Sequence, residues 1–157
     1  VIFPFFEWLE STGAADWLRS SIWGFPVIQA VHLLGLCLLG GAILVVDLRM
    51  LGVGLRSTSI ADLIRYARPW MLAAIALLVV TGILMLLPAA AVRYYANTSF
   101  WIKMSTLPAA LLITLTAREW MARTEVLEAS ARSRLVGALS IALWFTVAAA
   151  GRWIGFS

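Results

Sequence analysis

His32 is the only histidine in the chain, and no formal charge falls between Ser20 and Val46 on either side of it. That run is long enough to cross a bilayer. His32 is ten residues in from Ile22, which places it about 15 Å deep in a core of about 30 Å. An ionisable side chain at that depth is costly and by default marks a functional site. Gln29 lies one helical turn earlier on the same face, which Phe25 and Leu36 extend. Three chemistries fit the imidazole. It can be a buried polar group bonded to Gln29 or to a carbonyl of a neighbouring helix. It can be an axial ligand to haem b in a helical bundle, with Gln29 orienting it. It can be a copper ligand, although one imidazole and scattered thioethers make a thin set.

A sixth haem ligand would be a thioether, a water or the histidine of another subunit. Met85 and Met104 are the thioethers on the same half of the bundle. Lys103 and Arg152 lie near the same surface and suit an anion such as a haem propionate or a lipid phosphate. Their simpler reading is snorkelling to the membrane surface. Cys37, five residues on from His32, is turned away from its face.

The elements that must position these residues are apolar helices. The chain is 62% hydrophobic and 13% charged, with a mean hydropathy of +0.94, which points to an all-α integral membrane protein. Its 157 residues read as one membrane domain, a four-transmembrane-helix bundle. The spans are expected at about residues 22–46, 69–88, 99–117 and 135–154. Residues 1–21 form an interfacial amphipathic segment, too polar to span. They do not read as a signal peptide, since Glu7, Glu10 and Asp16 interrupt them.

Ser59 is expected to cap a short helix before Pro69, which opens the second span. Asn97, Thr98 or Ser99 caps the third, and Pro108 kinks it. The third helix is expected to run on into water as a charged segment from Arg118, with Glu119–Arg123 and Glu128–Arg132 pairs. Asp47 and Arg49 are expected to tie the first helix to the loop that follows. Gly35, Gly40 and Gly41 form a small-residue strip that lets another helix approach.

The connections after spans one and three hold Arg49, Arg56, Arg65, Arg68, Arg118, Arg123, Arg132 and Arg134. The other side holds Arg19, Arg93, Lys103 and Arg152. This bias puts both termini on the periplasmic side of a bacterial inner membrane. The net charge of +4 is therefore a topology signal, and no nucleic-acid partner is implied.

Several stretches together resemble a family of small four-helix bacterial membrane proteins without a settled activity, distantly similar to the membrane domain of copper-resistance D proteins. They are Ser21 to Pro26 (SIWGFP), His32 to Gly35 (HLLG) and Asp47 to Gly52 (DLRMLG). Further on come Tyr95 to Asn97 with Phe100 and Lys103, then Ser140 to Trp144, and Gly151 to Ile154. The resemblance implies a glutamate where this chain has Gln29. It also implies an Asn and a His late in the third span, at places that fall near Ile113 and Arg118 here. A two-histidine site within one subunit is thus ruled out.

No phosphate loop, zinc pattern, nucleophile motif or paired carboxylate occurs in the sequence. A complete catalytic set is missing, so an enzyme is not expected. The two leading expectations are a redox protein holding haem b at His32 and a structural or accessory subunit without a cofactor. Copper handling stands third. The expected surroundings are the lipid bilayer and either further copies of the chain or a membrane-protein partner.

Overall fold

Each long helix starts where a side chain can take one of the N–H groups left open at a helix end. The structure, a computed structural model, describes residues 2–156, so Val1 of the expected interfacial segment lies outside it. Among the described residues the fold is all helical. Two short helices, α1 (Phe3–Glu10) and α2 (Gly13–Ser20), precede α3 (Gly24–Met50). Next come α4 (Ile60–Leu86), α5 (Thr98–Leu112), α6 (Arg118–Arg123) and α7 (Ala131–Trp153). The Ser59 hydroxyl accepts from the Asp62 N–H at 3.0 Å, and the Asn97 side chain accepts from Phe100 N–H at 3.1 Å. Ser130 and Ser133 cap α7 reciprocally.

Four continuous helical stretches are long and apolar enough to cross a membrane: Gly24–Met50, Ile60–Tyr94, Thr98–Arg123 and Ala131–Trp153. This is an all-α membrane architecture. Most of each apolar stretch faces outward, and only 17% of the window within Thr98–Arg123 is buried in the chain. Such a surface requires a lipid environment.

The second helix differs from its sequence expectation. α4 is one helix from Ile60 onward, and Pro69 lies inside it. The proline removes one bond, to the Arg65 carbonyl. Burial of Ile60, Ala61 and Ile64 keeps the preceding turns helical. The third helix differs too. It continues past Ala117 through a single wide π-turn, Ile113–Ala117, into α6, but ends at Arg123, short of the expected turn near Ser130. The Glu119–Arg123 pair forms at 3.0 Å. The expected Glu128–Arg132 pair does not, because Glu128 sits in the loop ahead of the Ser130 cap. Arg132 lies instead over the Trp120 ring, 4.9 Å from its centroid.

The N-terminal helices pack over one end of the bundle. Phe6, Leu9, Ala15 and Leu18 are buried with Leu87, Ala90 and Phe100. Glu10 is not a free surface carboxylate: Oε1 accepts from the N–H groups of Ala91 and Val92 at 3.1 and 3.4 Å. Arg19 donates to the carbonyls of Pro88 and Glu10 and pairs with Asp16.

Around the bundle, α3 packs on α4 and α7, α5 packs on α7, and α6 closes back onto α4. α4 and α5 are not packed along their lengths, so one side of the bundle is open above the α6 contact. At the closed end Arg49 donates to the carbonyls of Thr58 and Leu127, at 2.7 and 3.0 Å. It ties α3 to the loops before α4 and α7, the role its position suggested.

Two glycines set helix spacing. A Cβ on Gly35 would meet Leu78 at 3.1 Å, and one on Gly137 would meet the Asp47 carbonyl oxygen at 3.1 Å. Gly40 and Gly41 have nothing within 4 Å. Gly137→Ala should therefore push α7 off α3 and cost about 1–3 kcal/mol. Gly40→Ala should be neutral or stabilise by up to about 1 kcal/mol through helix propensity. Thermal unfolding of the two variants in detergent checks the contrast.

Candidate functional site

Two polar centres lie along α3, separated by the fifteen residues from His32 to Asp47, or about 22 Å of helix. The first is at the half of the bundle that carries the termini. His32 is half-buried, and its Nδ1 lies 2.7 Å from the Thr81 hydroxyl on α4. Thr81 is itself buried and donates its proton to the Leu77 carbonyl at 2.7 Å. With that proton on Leu77 the hydroxyl accepts from the ring, Nδ1 carries the imidazole proton and Nε2 keeps its lone pair; a hydroxyl turned toward the ring would reverse the two nitrogens. A histidine oriented through one nitrogen so that the other is bare is the arrangement found in metal ligation.

Gly82 stands beside the His32 ring, and a Cβ there would lie 3.6 Å from Cε1. Lys103 on α5 is half-buried, with Nζ 3.4 Å from where a Cβ of Gly151 would sit. His32 on α3 thus meets Thr81 and Gly82 on α4, and Lys103 on α5 stands beside Gly151 on α7.

The other residues singled out by sequence are dispersed. Gln29 is exposed and its side chain makes no hydrogen bond among the described residues, so Thr81 is the partner of His32. Arg152 is exposed and lies over the Phe156 ring, 4.2 Å from its centroid. Met104 is exposed on α5. Met85 is half-buried one turn beyond Thr81, on the same face of α4. Cys37 is exposed. No group of three or more metal-binding side chains occurs among the described residues.

The second centre is one the sequence reading missed. Arg118, expected in water, is 1% exposed, and Asp47 is fully buried beside it. Nη2 of Arg118 donates to Asp47 Oδ1 at 2.6 Å and to Ser140 Oγ at 2.8 Å. Nη1 points at Met71 Sδ, 3.1 Å away. Asp47 Oδ2 and Arg118 Nε have no hydrogen-bond partner among the described residues. One guanidinium therefore contacts α3, α4 and α7 while standing at the start of α6. The π-turn just before it belongs to a class of irregularity found often at functional sites. Thr114 within that turn accepts from Trp144 Nε1 at 3.1 Å, which fixes the turn against α7. The resemblance had pointed to this neighbourhood only by implying a histidine near Arg118.

Fold and site together define a small four-helix membrane protein with a histidine centre at one end and a buried ion pair at the other. The chain belongs to a family of unknown function, DUF6644, which it matches over residues 5–157. No curated protein and no solved structure matches it.

The buried pair is costly to break and less costly to replace. Asp47→Asn should leave the guanidinium without its counter-charge and destabilise the fold by about 3–5 kcal/mol. The double variant Asp47→Leu with Arg118→Met should recover most of that loss. Thermal midpoints of wild type, single and double variants in one detergent check this. A single variant as stable as wild type would remove the pair from its organising role.

Proposed function

We propose that this is a bacterial inner-membrane protein that binds haem b through Nε2 of His32 in an electron-transfer role. The observation that carries the reading is the Thr81 contact, which holds Nδ1 and leaves Nε2 bare. When bound, the haem supplies one-electron chemistry. The chain's own residues orient and enclose. Thr81 fixes the ring, Gly82 keeps the space beside it free of a side chain, and Lys103 offers a cation to a propionate. Arg152 would have to leave Phe156 to do the same. Met85 shares the Thr81 face of α4 and so stands on the Nδ1 side of the ring, away from Nε2. Met104 or the histidine of another subunit would have to approach from the open side. Gln29 is free to bond whatever occupies that side. The arginine bias supports a periplasmic placement of this centre and of both termini.

Two other readings have specific support. A bare imidazole also suits copper, the reading that the sequence resemblance to copper-resistance D proteins implies. An accessory subunit, as a homo-oligomer or with a membrane-protein partner, is favoured by Gly40 and Gly41, which leave α3 open to another helix.

Absorbance of the detergent-purified protein, made with haem supplied and read oxidised and then dithionite-reduced, separates the three. A Soret band is expected in wild type, with its loss in His32→Ala and a shifted band in Thr81→Val. An unchanged band in His32→Ala would overturn the assignment. A featureless wild-type spectrum would overturn haem altogether. Copper retained by wild type and lost in His32→Ala would then favour the metal, and neither would leave the accessory subunit.

A further inference from the structure

We infer that the cleft between α4 and α6 is a binding site for the phosphate headgroup of an anionic membrane phospholipid. The inference is independent of His32, which lies at the other end of the bundle. The cleft, about 130 Å³ in volume, is lined by the guanidiniums of Arg68, Arg118 and Arg123 and by one carboxylate, Glu119. Glu119 sits between two of the arginines, 3.5 Å from Arg68 and 3.0 Å from Arg123. Arg68 and Arg123 are 56% and 77% exposed, so each has donors to spare. Arg118 lies beneath them, and its Nε is buried without a partner among the described residues. Arg118 is already neutralised by Asp47, so Arg68 and Arg123 against Glu119 leave one net positive charge in the cleft, which favours a further negative group. The forked guanidinium geometry matches phosphate oxygens.

The apolar part of the lining selects a lipid. Leu72 is one turn from Arg68 along α4, and Leu115 is one turn from Glu119 on the joined α5–α6 helix. Both leucines line the cleft, both are exposed, and both lie toward the membrane centre from their charged neighbours. The cleft is therefore cationic at the bundle end and apolar toward the interior on both of its walls. A phospholipid has that order: phosphate at the surface, acyl chain inward. An inorganic phosphate would use only the upper half. The end that carries most of the arginines is also the end at which positive charge meets anionic lipid headgroups.

Native mass spectrometry of the full chain, with phosphatidylglycerol or phosphatidylcholine added to the detergent, tests this. Wild type should retain phosphatidylglycerol in preference to phosphatidylcholine. Arg68→Gln and Arg123→Gln should each lower that retention by about fivefold, the usual weight of one surface cation on anionic lipid. Glu119→Gln should raise it. Arg56→Gln is the control for general attraction, since Arg56 is outside the cleft and donates to the Gly52 carbonyl. Equal retention of the two lipids would overturn the site. So would a loss in Arg56→Gln as large as in Arg68→Gln. Inorganic phosphate that displaced the lipid at equal concentration would show that the headgroup alone is recognised and would overturn the lipid as the ligand.

Discussion

The Arg118 guanidinium is the constraint on which the arrangement of the four helices depends. It bonds Asp47 on α3 and Ser140 on α7 and touches Met71 on α4. Outward-facing leucines and valines cannot fix how membrane helices pack, because lipid tails offer them an equally apolar partner. A buried charge can, since it is tolerated only with its counter-charge in place. Everything near it is built for close approach. Gly137 lets α7 lie against the Asp47 carbonyl, and Arg49 ties the end of α3 to two loops. The π-turn at Ile113–Ala117, held by Trp144 against Thr114, leads directly into Arg118.

At the other end the helices spread, and the constraint is lighter. The N-terminal helices cover the end with apolar side chains, and Glu10 caps the amides between α4 and α5. Below that cover α4 and α5 stand apart, and His32 on α3 meets Thr81 on α4. A closed end fixed by charge and a partly open end with an oriented imidazole form a division of labour within one short chain. The first holds the fold, and the second presents the imidazole.

Much of this was legible in the sequence. Helix existence followed from four long apolar runs, and the caps at Ser59 and Asn97 followed from side-chain chemistry. The helix ends were harder. Burial of Ile60 and Ile64 carries α4 across the turns before Pro69, and burial is a tertiary fact. His32 was found because an isolated imidazole in an apolar run is conspicuous. Thr81 was not found as its partner, since it stands 49 residues away and helical spacing favours Gln29. Arg118 was misplaced for a similar reason. It opens a run of charged residues, and nothing local distinguishes an arginine paired with a residue 71 positions earlier from its solvated neighbours. Only the wide turn in front of it directs the side chain inward, and wide turns leave no clear mark in composition.

The central claim about the open end is that His32 is presented with Nδ1 protonated and Nε2 bare. Nitrogen-15 NMR of the cofactor-free protein, labelled at histidine, measures this directly. The chain has one histidine, so one pair of ring signals is seen. The account expects Nδ1 to carry the proton and Nε2 to show the shift of an unprotonated nitrogen. The opposite assignment, with Nε2 protonated and Nδ1 bare, would mean that Thr81 donates to the ring. The nitrogen available for ligation would then be the one already engaged, and the account of this site would be wrong.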